Sequence, residues 1–494
     1  MGGKLMVVAA MAAGMAMAQT TSKVGGLAFR YDDNQALAKW KALAEVFDRH
    51  GYPMSLALIA TKDDVYNAET LAFLKEAAAK GHELMDHTPN HSVFSFMSPE
   101  PQKYANEPWV DHIDGNRICA KYRLREDMPP SIPRLAFKAK VKGATIELPE
   151  EVRKRYWPNS QHVIFNGKAY IVKGKSEHEF TLESFWREPV DLGDLGEVEC
   201  QYANKAFGFY AEPEQLKAMA RQVREHRRKL GLPMPTAWIQ PGSPEAIVQA
   251  DNIRAGYAEF GYVSGATYQN SAALVYCEPN PERCAFAMMW GQINLERTPT
   301  LDELKKSVAD AVATHRVLIA SSHIRTDKFP DGLSGFVALH DQLLSWCKEK
   351  GVMVKTQSEW ARLLYGSKTD PRENILPPLS VDLNGDGIPD GYELGGGAAY
   401  SNGSLSCKGK GLLCRTLKLG GVERGRNTLK LEIQGGAPRI CIHQWNYWKA
   451  FHSDTAKGNE CSFEVLPDTV TIVIELFNDG DGAMTVTGGS LSQN

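Results

Sequence analysis

Between residues 26 and 91 the chain alternates short apolar runs with amphipathic helices, and this rhythm constrains the fold more than any other feature. Gly26 to Tyr31 is an apolar run of strand length. Ala36 to His50 repeats apolar residues at Leu37, Trp40, Leu43, Ala44 and Phe47, a 3.6-residue period, and stops at Gly51. Ser55 to Ile59 predicts a second strand, and Glu69 to Lys80 a second helix stopped by Gly81. A helix between two strands returns the chain to the end where it began. Successive strands then pair in parallel and build a parallel sheet or a barrel.

The rhythm breaks near residue 95. From there to about 205 the chain is rich in proline, aromatics and short alternating runs such as His162 to Val172. That is too long for a structureless loop in a compact domain, so it reads as a β-rich insertion. Helix and strand signals resume at Glu214 to Leu230, Thr236 to Gln240, a helix from Ser243, Tyr262 to Ala266, Thr300 to Thr314, Arg316 to Ser321, His340 to Lys350, Val352 to Lys355 and Glu359 to Tyr365. The expectation is a distorted α/β barrel over 19–370 carrying the insertion. A Pro-rich linker over 371–381 follows, and then a β-sandwich-like domain over 382–494 with Gly-rich turns and alternating strands. A chain of 494 residues has room for such a division.

Lys4, the apolar stretch Leu5 to Met17 and the Ala16-Met17-Ala18 cleavage pattern predict a signal peptide over 1–18, a mature start at Gln19 and a secreted or periplasmic protein. The apolar run is too short to span a bilayer. A net charge of −3 gives no basic face for nucleic acid. Export permits disulfides, and the nine cysteines offer Cys277/Cys284, Cys407/Cys414, Cys441/Cys461 and Cys119/Cys200 as candidate bridges. Cys347 sits in a helical pattern as a buried thiol. No C-x-x-C spacing suggests a zinc site.

Two constellations carry chemistry. Asp32 and Asp33 end the first strand, where side chains reach a barrel mouth and adjacent carboxylates need a cation or a proton to settle them. The competing reading is that Asp33 or Asn34 caps the following helix. His87 and His91 stand four apart around Pro89, close enough for two imidazoles to meet one metal.

With Tyr31-Asp32-Asp33 followed by His87-Thr88-x-x-His91, itself preceded by Gly81-His82-Glu83, the sequence resembles the polysaccharide deacetylase family with its NodB-homology domain, over about 24–94 and 206–366. The resemblance implies a divalent metal, usually zinc, ligated by Asp33, His87 and His91, with Asp32 as catalytic base. It also implies His323, ending the apolar run Val317 to Ser322, as catalytic acid. The family's third motif corresponds to Gln240-Pro241-Gly242, which shapes the site but puts Gln240 where the family has the arginine that pairs with the base. The fourth motif, an acid and a Trp, is not evident in Val263 to Tyr268. Water activated beside the metal would attack an acetamide, Asp32 removing its proton and His323 protonating the departing amine.

Asp382-Leu-Asn384-Gly-Asp386-Gly-Ile388-Pro-Asp390-Gly-Tyr-Glu393 has calcium-loop spacing, with oxygen ligands at Asp382, Asn384, Asp386, Asp390 and Glu393 and the carbonyl of Ile388. Trp445, Tyr447, Trp448 and Phe451 beyond it suit either sugar stacking or a sandwich core. The function expected is removal of N-acetyl groups from hexosamines of an extracellular glycan. The alternatives are a carbohydrate-binding protein on a deacetylase fold without turnover, and an O-acetyl esterase or amidase.

Overall fold

A computed structural model describes residues 24–60, 65–89, 96–97, 110–114, 117–120, 136–156, 161–166, 168–184, 190–202, 213–241, 250–277, 287–366, 374–445, 450–467 and 469–493. The expected signal peptide, His91, Gly242, Cys284, Tyr447 and Trp448 lie outside these residues.

Seven strands close into a barrel. β1 (Gly26–Tyr31) is followed around the ring by Val317–Ser322, Ala287–Asn294, Ser264–Cys277, Ala237–Ile239, β3 (Glu83–Asp86) and β2 (Ser55–Leu58), which returns to β1. Every neighbouring pair around the ring is parallel, as the strand–helix rhythm requires. The distortion lies in Ser264–Cys277, whose far half turns back so that Val275 also pairs antiparallel with Val317. The Ala287–Asn294 strand was not expected from sequence, because its Met-Met-Trp-Gly-Gln core lacks both alternation and a β-branched run. The expected strand at 352–355 contributes a single bridge, Leu27 to Val354.

The two faces of β1 show how the barrel is filled. Leu27, Phe29 and Tyr31 pack outward against Trp40, Leu43 and Phe47 of α1 (Leu37–His50) and against Phe336, Leu343 and Leu344 of the helix Gly332–Lys350. Ala28 instead meets Ala57, Met85, Ala237, Ile239, Ala266, Val317 and Ile319 from the other strands, so this face lines the lumen. Trp360, from the helix Gln357–Gly366, plugs the lumen at the start of β1, its indole N–H donating to Leu27 O at 2.9 Å. Gly26 permits this approach, since a Cβ there would stand 2.7 Å from the indole ring. The closed end is therefore the N-terminal end of the strands, and the opposite end is the mouth.

The insertion is more regular than its composition suggests. Six strands between Ala136 and Tyr202 close into an antiparallel barrel of their own, filled by Val141, Ile146, Val163, Phe165, Val172, Phe180 and Leu182. A three-stranded sheet over 96–97, 110–114 and 117–120 precedes it.

The tail is a sandwich of two five-stranded sheets, as its turn-rich texture predicts. Leu405, Leu429 and Phe463 face Leu413, Ile440, Ile442 and Ile472 across its core. It sits directly on the barrel: Gly391 N–H donates to Asp310 Oδ1 at 2.9 Å, and Gly420 N–H to Thr314 O at 2.9 Å. Both acceptors belong to the end of the helix Leu301–Ala313 that leads into the start of a barrel strand, so the tail is docked towards the closed end.

The expected bridges are not formed among the described cysteines. Cys200, Cys347, Cys407, Cys414, Cys441 and Cys461 are all buried free thiols. Cys407 and Cys414 lie on strands of opposite sheets, as do Cys441 and Cys461. The sulfurs of Cys407 and Cys441 instead accept from Asn478 and from Arg439 and Thr455. Burial pushes the thiols of Cys347 and Cys414 up to about 12, which keeps them protonated and unreactive. No described helix is long and apolar enough to cross a membrane.

Candidate active site

The mouth is built by strand ends. Asp32 and Asp33 follow β1, His87 follows β3, Gln240 follows Ala237–Ile239, and His323 follows Val317–Ser322. Asp33 has φ 69°, Thr88 beside His87 has φ 66°, and Ile324 beside His323 has φ 51°. Left-handed backbone is costly for non-glycine residues, about 1–3 kcal/mol each, and worst for β-branched ones such as Thr88 and Ile324. Such backbone falls at three separate strand ends that carry chemically capable side chains.

Neither Asp33 nor Asn34 caps α1. The helix starts at Leu37, and its N-cap, Ala36, offers no side-chain bond. Asn34 instead clasps β2, its amide donating to Ile59 O and its Oδ1 accepting from Ile59 N, both at 3.0 Å. Gln35 Nε2 donates to Asp32 O at 2.8 Å. These bonds fix the turn that aims the two carboxylates.

The two aspartates have different partners. Asp32 is 1% exposed and is gripped by Arg30, whose Nε donates to Oδ1 at 2.8 Å and whose Nη2 donates to Oδ2 at 3.1 Å. Asp33 Oδ1 stands 3.3 Å from His87 Nε2, and its Oδ2 stands 3.8 Å from His323 Nε2. His87 Nδ1 lies 3.1 Å from Ile239 O, to which it donates, and this contact turns Nε2 towards Asp33. Two donors about 2.1 Å from one tetrahedral zinc are about 3.4 Å apart, so this pair suits a shared cation. Among the described residues no group of three His, Cys, Asp or Glu is placed to hold one ion. The expected third ligand, His91, lies outside them.

Sequence reasoning missed two residues here. Arg30 is a charged residue within an otherwise apolar buried strand, two positions before Asp32 and so on the same face; that spacing was the available signal. It supplies Asp32 with a guanidinium, so Gln240 does not leave that carboxylate without a cationic partner. Glu296 is the second. It follows the unexpected strand Ala287–Asn294, one strand later than the segment in which an acid was sought. Glu296 Oε1 lies 2.7 Å from His323 Nδ1 and also accepts from His323 N at 2.8 Å. Burial alone would push the His323 pKa down. The hydrogen bond to Glu296 and the charges of Asp33, Glu296 and Asp32 outweigh it, so His323 sits above the usual histidine value. Burial would raise Glu296, but its bond to His323 and the imidazolium charge bring it down to about 2. The two shifts describe one pair, each partner favouring the charged form of the other.

Gln240 is fully buried, with no hydrogen-bond partner for its side-chain amide among the described residues. Pro241 beside it is also buried. Glu83, of the Gly81-His82-Glu83 run, works at the closed end, accepting from Ser55 Oγ and from the N–H groups of Gln357 and Ser358.

In the 382–393 loop the acidic side chains turn inward onto backbone amides. Asp382 accepts from Gly385, Asp386 and Gly387 N, Asn384 from Asp386 N, Asp386 from Ile388 N, and Asp390 from Leu383 N. Glu393 pairs with Arg415 outside the loop. Lys306 of the barrel reaches both Asp386, at 3.6 Å, and Asp310, at 3.3 Å.

No family model matches the sequence, and no curated protein matches it. Solved structures do match. A family 4 acetyl xylan esterase from Clostridium thermocellum, in complex with a cobalt ion, is 9% identical over 69% of this chain and 92% of its own, with a TM-score of 0.31. A peptidoglycan N-acetylglucosamine deacetylase is 9% identical over 71% and 92%, at 0.29. An accessory secretory protein structure from Streptococcus pneumoniae matches 21% of this chain and 92% of its own, at 14% identity and a TM-score of 0.19. Likenesses this distant carry no argument about chemistry, which rests on the side chains just described.

Proposed function

We propose that the chain is a divergent polysaccharide deacetylase: a metal-dependent hydrolase removing N-acetyl groups from hexosamine residues of an extracellular glycan. The observation that carries this reading is Asp33 Oδ1 and His87 Nε2 set 3.3 Å apart beside a second carboxylate, Asp32, that a guanidinium holds separately. Asp33 and His87, with His91, would hold the divalent cation, zinc or a similar transition metal, which when bound polarises the acyl carbonyl and acidifies water.

The chain's own groups supply the proton transfers. Asp32, held and oriented by Arg30, takes the proton of the attacking water at a carboxylate oxygen. His323, charged against Glu296, gives its proton from Nε2 to the departing amine, without which the nitrogen would leave as an unstable anion. Gln240, with Pro241 and Gly242, shapes the mouth and has a buried amide to offer a substrate polar group. The reading without turnover drew on a missing arginine and a missing acid. Arg30 and Glu296 supply those two charges, which favours catalysis. O-acetyl esters would meet the same groups, and acetate release from ester and amide substrates separates the two activities.

Calcium in the 382–393 loop, through Asp382, Asn384, Asp386, Ile388, Asp390 and Glu393, is part of the same proposal. It would have to displace the Lys306 ammonium and draw Asp382 and Asp386 off their amides. A calcium-dependent rise in Tm that Asp382→Ala removes would support it, and a Tm indifferent to calcium would end it.

The test of function is acetate release from N-acetylated hexosamine oligomers by the purified protein, with zinc and then with a chelator. Release that the chelator stops is expected. No release from any acetylated glycan, or release indifferent to the chelator, would refute the proposal.

A further inference from the structure

We infer that Arg30, fixed from below by Gln292 and Ser321, is a positioning residue that divides the work of the adjacent aspartates: its fork holds both oxygens of Asp32 away from the cation that Asp33 would share. The inference rests on the reading of the mouth as a metal-dependent hydrolase.

Two neighbouring carboxylates at one strand end face the same problem. A divalent cation attracts both, and a carboxylate bound to it has its lone pairs drawn to the cation and is a poorer base. Something must keep one of them back. The Arg30 fork takes Asp32 through both oxygens, at 2.8 and 3.1 Å, with each side chain 1% exposed. In such burial a bidentate charged pair is strong and geometrically selective. Asp33, turned by its φ of 69°, points the other way, towards His87 and His323.

The guanidinium is itself held. Arg30 Nη2 also donates to Gln292 Oε1, and that oxygen accepts from Ser321 Oγ at 2.7 Å. Arg30 and Ser321 are register partners on paired strands. Gln292 lies on the strand that leads to Glu296, and Ser321 on the strand that leads to His323. The tier Arg30–Gln292–Ser321 therefore lies beneath the base, the acid and the acid's partner, and ties together the three adjacent strands that carry them. Arg30 Nη1 has no partner among the described residues, so the fork is committed through Nε and Nη2 alone.

The experiment uses the full chain loaded with cobalt(II), reading both its visible absorption bands and steady-state kinetics on an N-acetylated hexosamine oligomer. In Arg30→Met we expect one cobalt per chain with shifted bands, as Asp32 joins the ion, and kcat lower by about 100-fold or more with KM within about threefold. Arg30→Lys should not restore either property, because an ammonium cannot make the fork. Gln292→Leu, which leaves both charges in place, should lower kcat about tenfold and shift the bands in the same direction. Wild-type bands in Arg30→Met overturn the inference. Should that variant not fold, wild-type bands and kcat in Gln292→Leu overturn it equally, and so does a wild-type chain that binds no cobalt. If the wild-type protein releases no acetate, the deacetylase reading fails on its own, while the bands still decide the role of Arg30.

Discussion

Asp33, Thr88 and Ile324 hold left-handed backbone that their side chains disfavour, and each adjoins or is one of the side chains at the barrel mouth. Asp33→Asn should keep this conformation, which Asn tolerates, while removing the charge. We expect zinc affinity to fall by at least about tenfold, read by titration calorimetry; unchanged affinity would remove Asp33 from the ligand set. Glu296→Gln tests the other side. His323 loses its anionic partner, and kcat should drop about 100-fold with little change in KM. A kcat within twofold of wild type would take the His323–Glu296 pair out of the reaction. Asp32, Asp33 and His323 were legible because each falls at the end of a recognisable apolar run, and His87 because it stands four residues from His91. Arg30 and Glu296 were not, for different reasons. Arg30 looks like a charge misplaced in a strand until the lumen gives it Asp32, and Glu296 follows a strand whose composition conceals it.

The helix Gly332–Lys350 carries His340, 1% exposed and ringed by Phe29, Tyr31, Phe47 and Phe336. Burial pushes its pKa down to about 4, against a weaker opposing bond between Nδ1 and Phe336 O. The folded imidazole is therefore neutral where the unfolded one, titrating near 6.5, already takes up a proton. Its contribution is fully present above the unfolded pKa and is lost as pH falls from about 6.5 towards 4, on the order of 3 kcal/mol in all. His340→Leu should flatten the stability profile across that window, as measured by urea midpoints; an equally steep profile would assign the acid sensitivity elsewhere. Element types were largely readable because the 3.6-residue period of α1 and of the Leu301–Ala313 helix follows from burying one face. The closed barrel of the insertion was not, since its pairing register depends on contacts between distant strands.

At the scale of the molecule, the bonds from Gly391 and Gly420 and the ion pair of Lys306 with Asp386 are among the contacts that fasten the sandwich to the barrel. A Cβ on Gly420 would lie 2.7 Å from Arg316 Cγ and 2.8 Å from His315 O. Gly420→Val should therefore prise the two apart at a cost of about 1–3 kcal/mol. We expect calorimetry to show a lower or divided transition, while kcat and KM on a short soluble oligomer stay at wild-type values. A loss of turnover equal to that of Glu296→Gln would mean the dock reaches the mouth. The division into barrel, insertion and sandwich was visible in the texture of the chain. The docking was not, because its contacts join residues far apart in the chain and several of them are made by backbone N–H groups, which leave no mark on composition.

That dock has a directional consequence. A sandwich seated on the plugged end of the lumen leaves the reactive rim pointing outward. Under the proposed function, any wall or fibre that the sandwich grasped would lie behind the proposed catalytic groups, and the molecule would work on strands brought to it from the opposite side instead of the one it stands on.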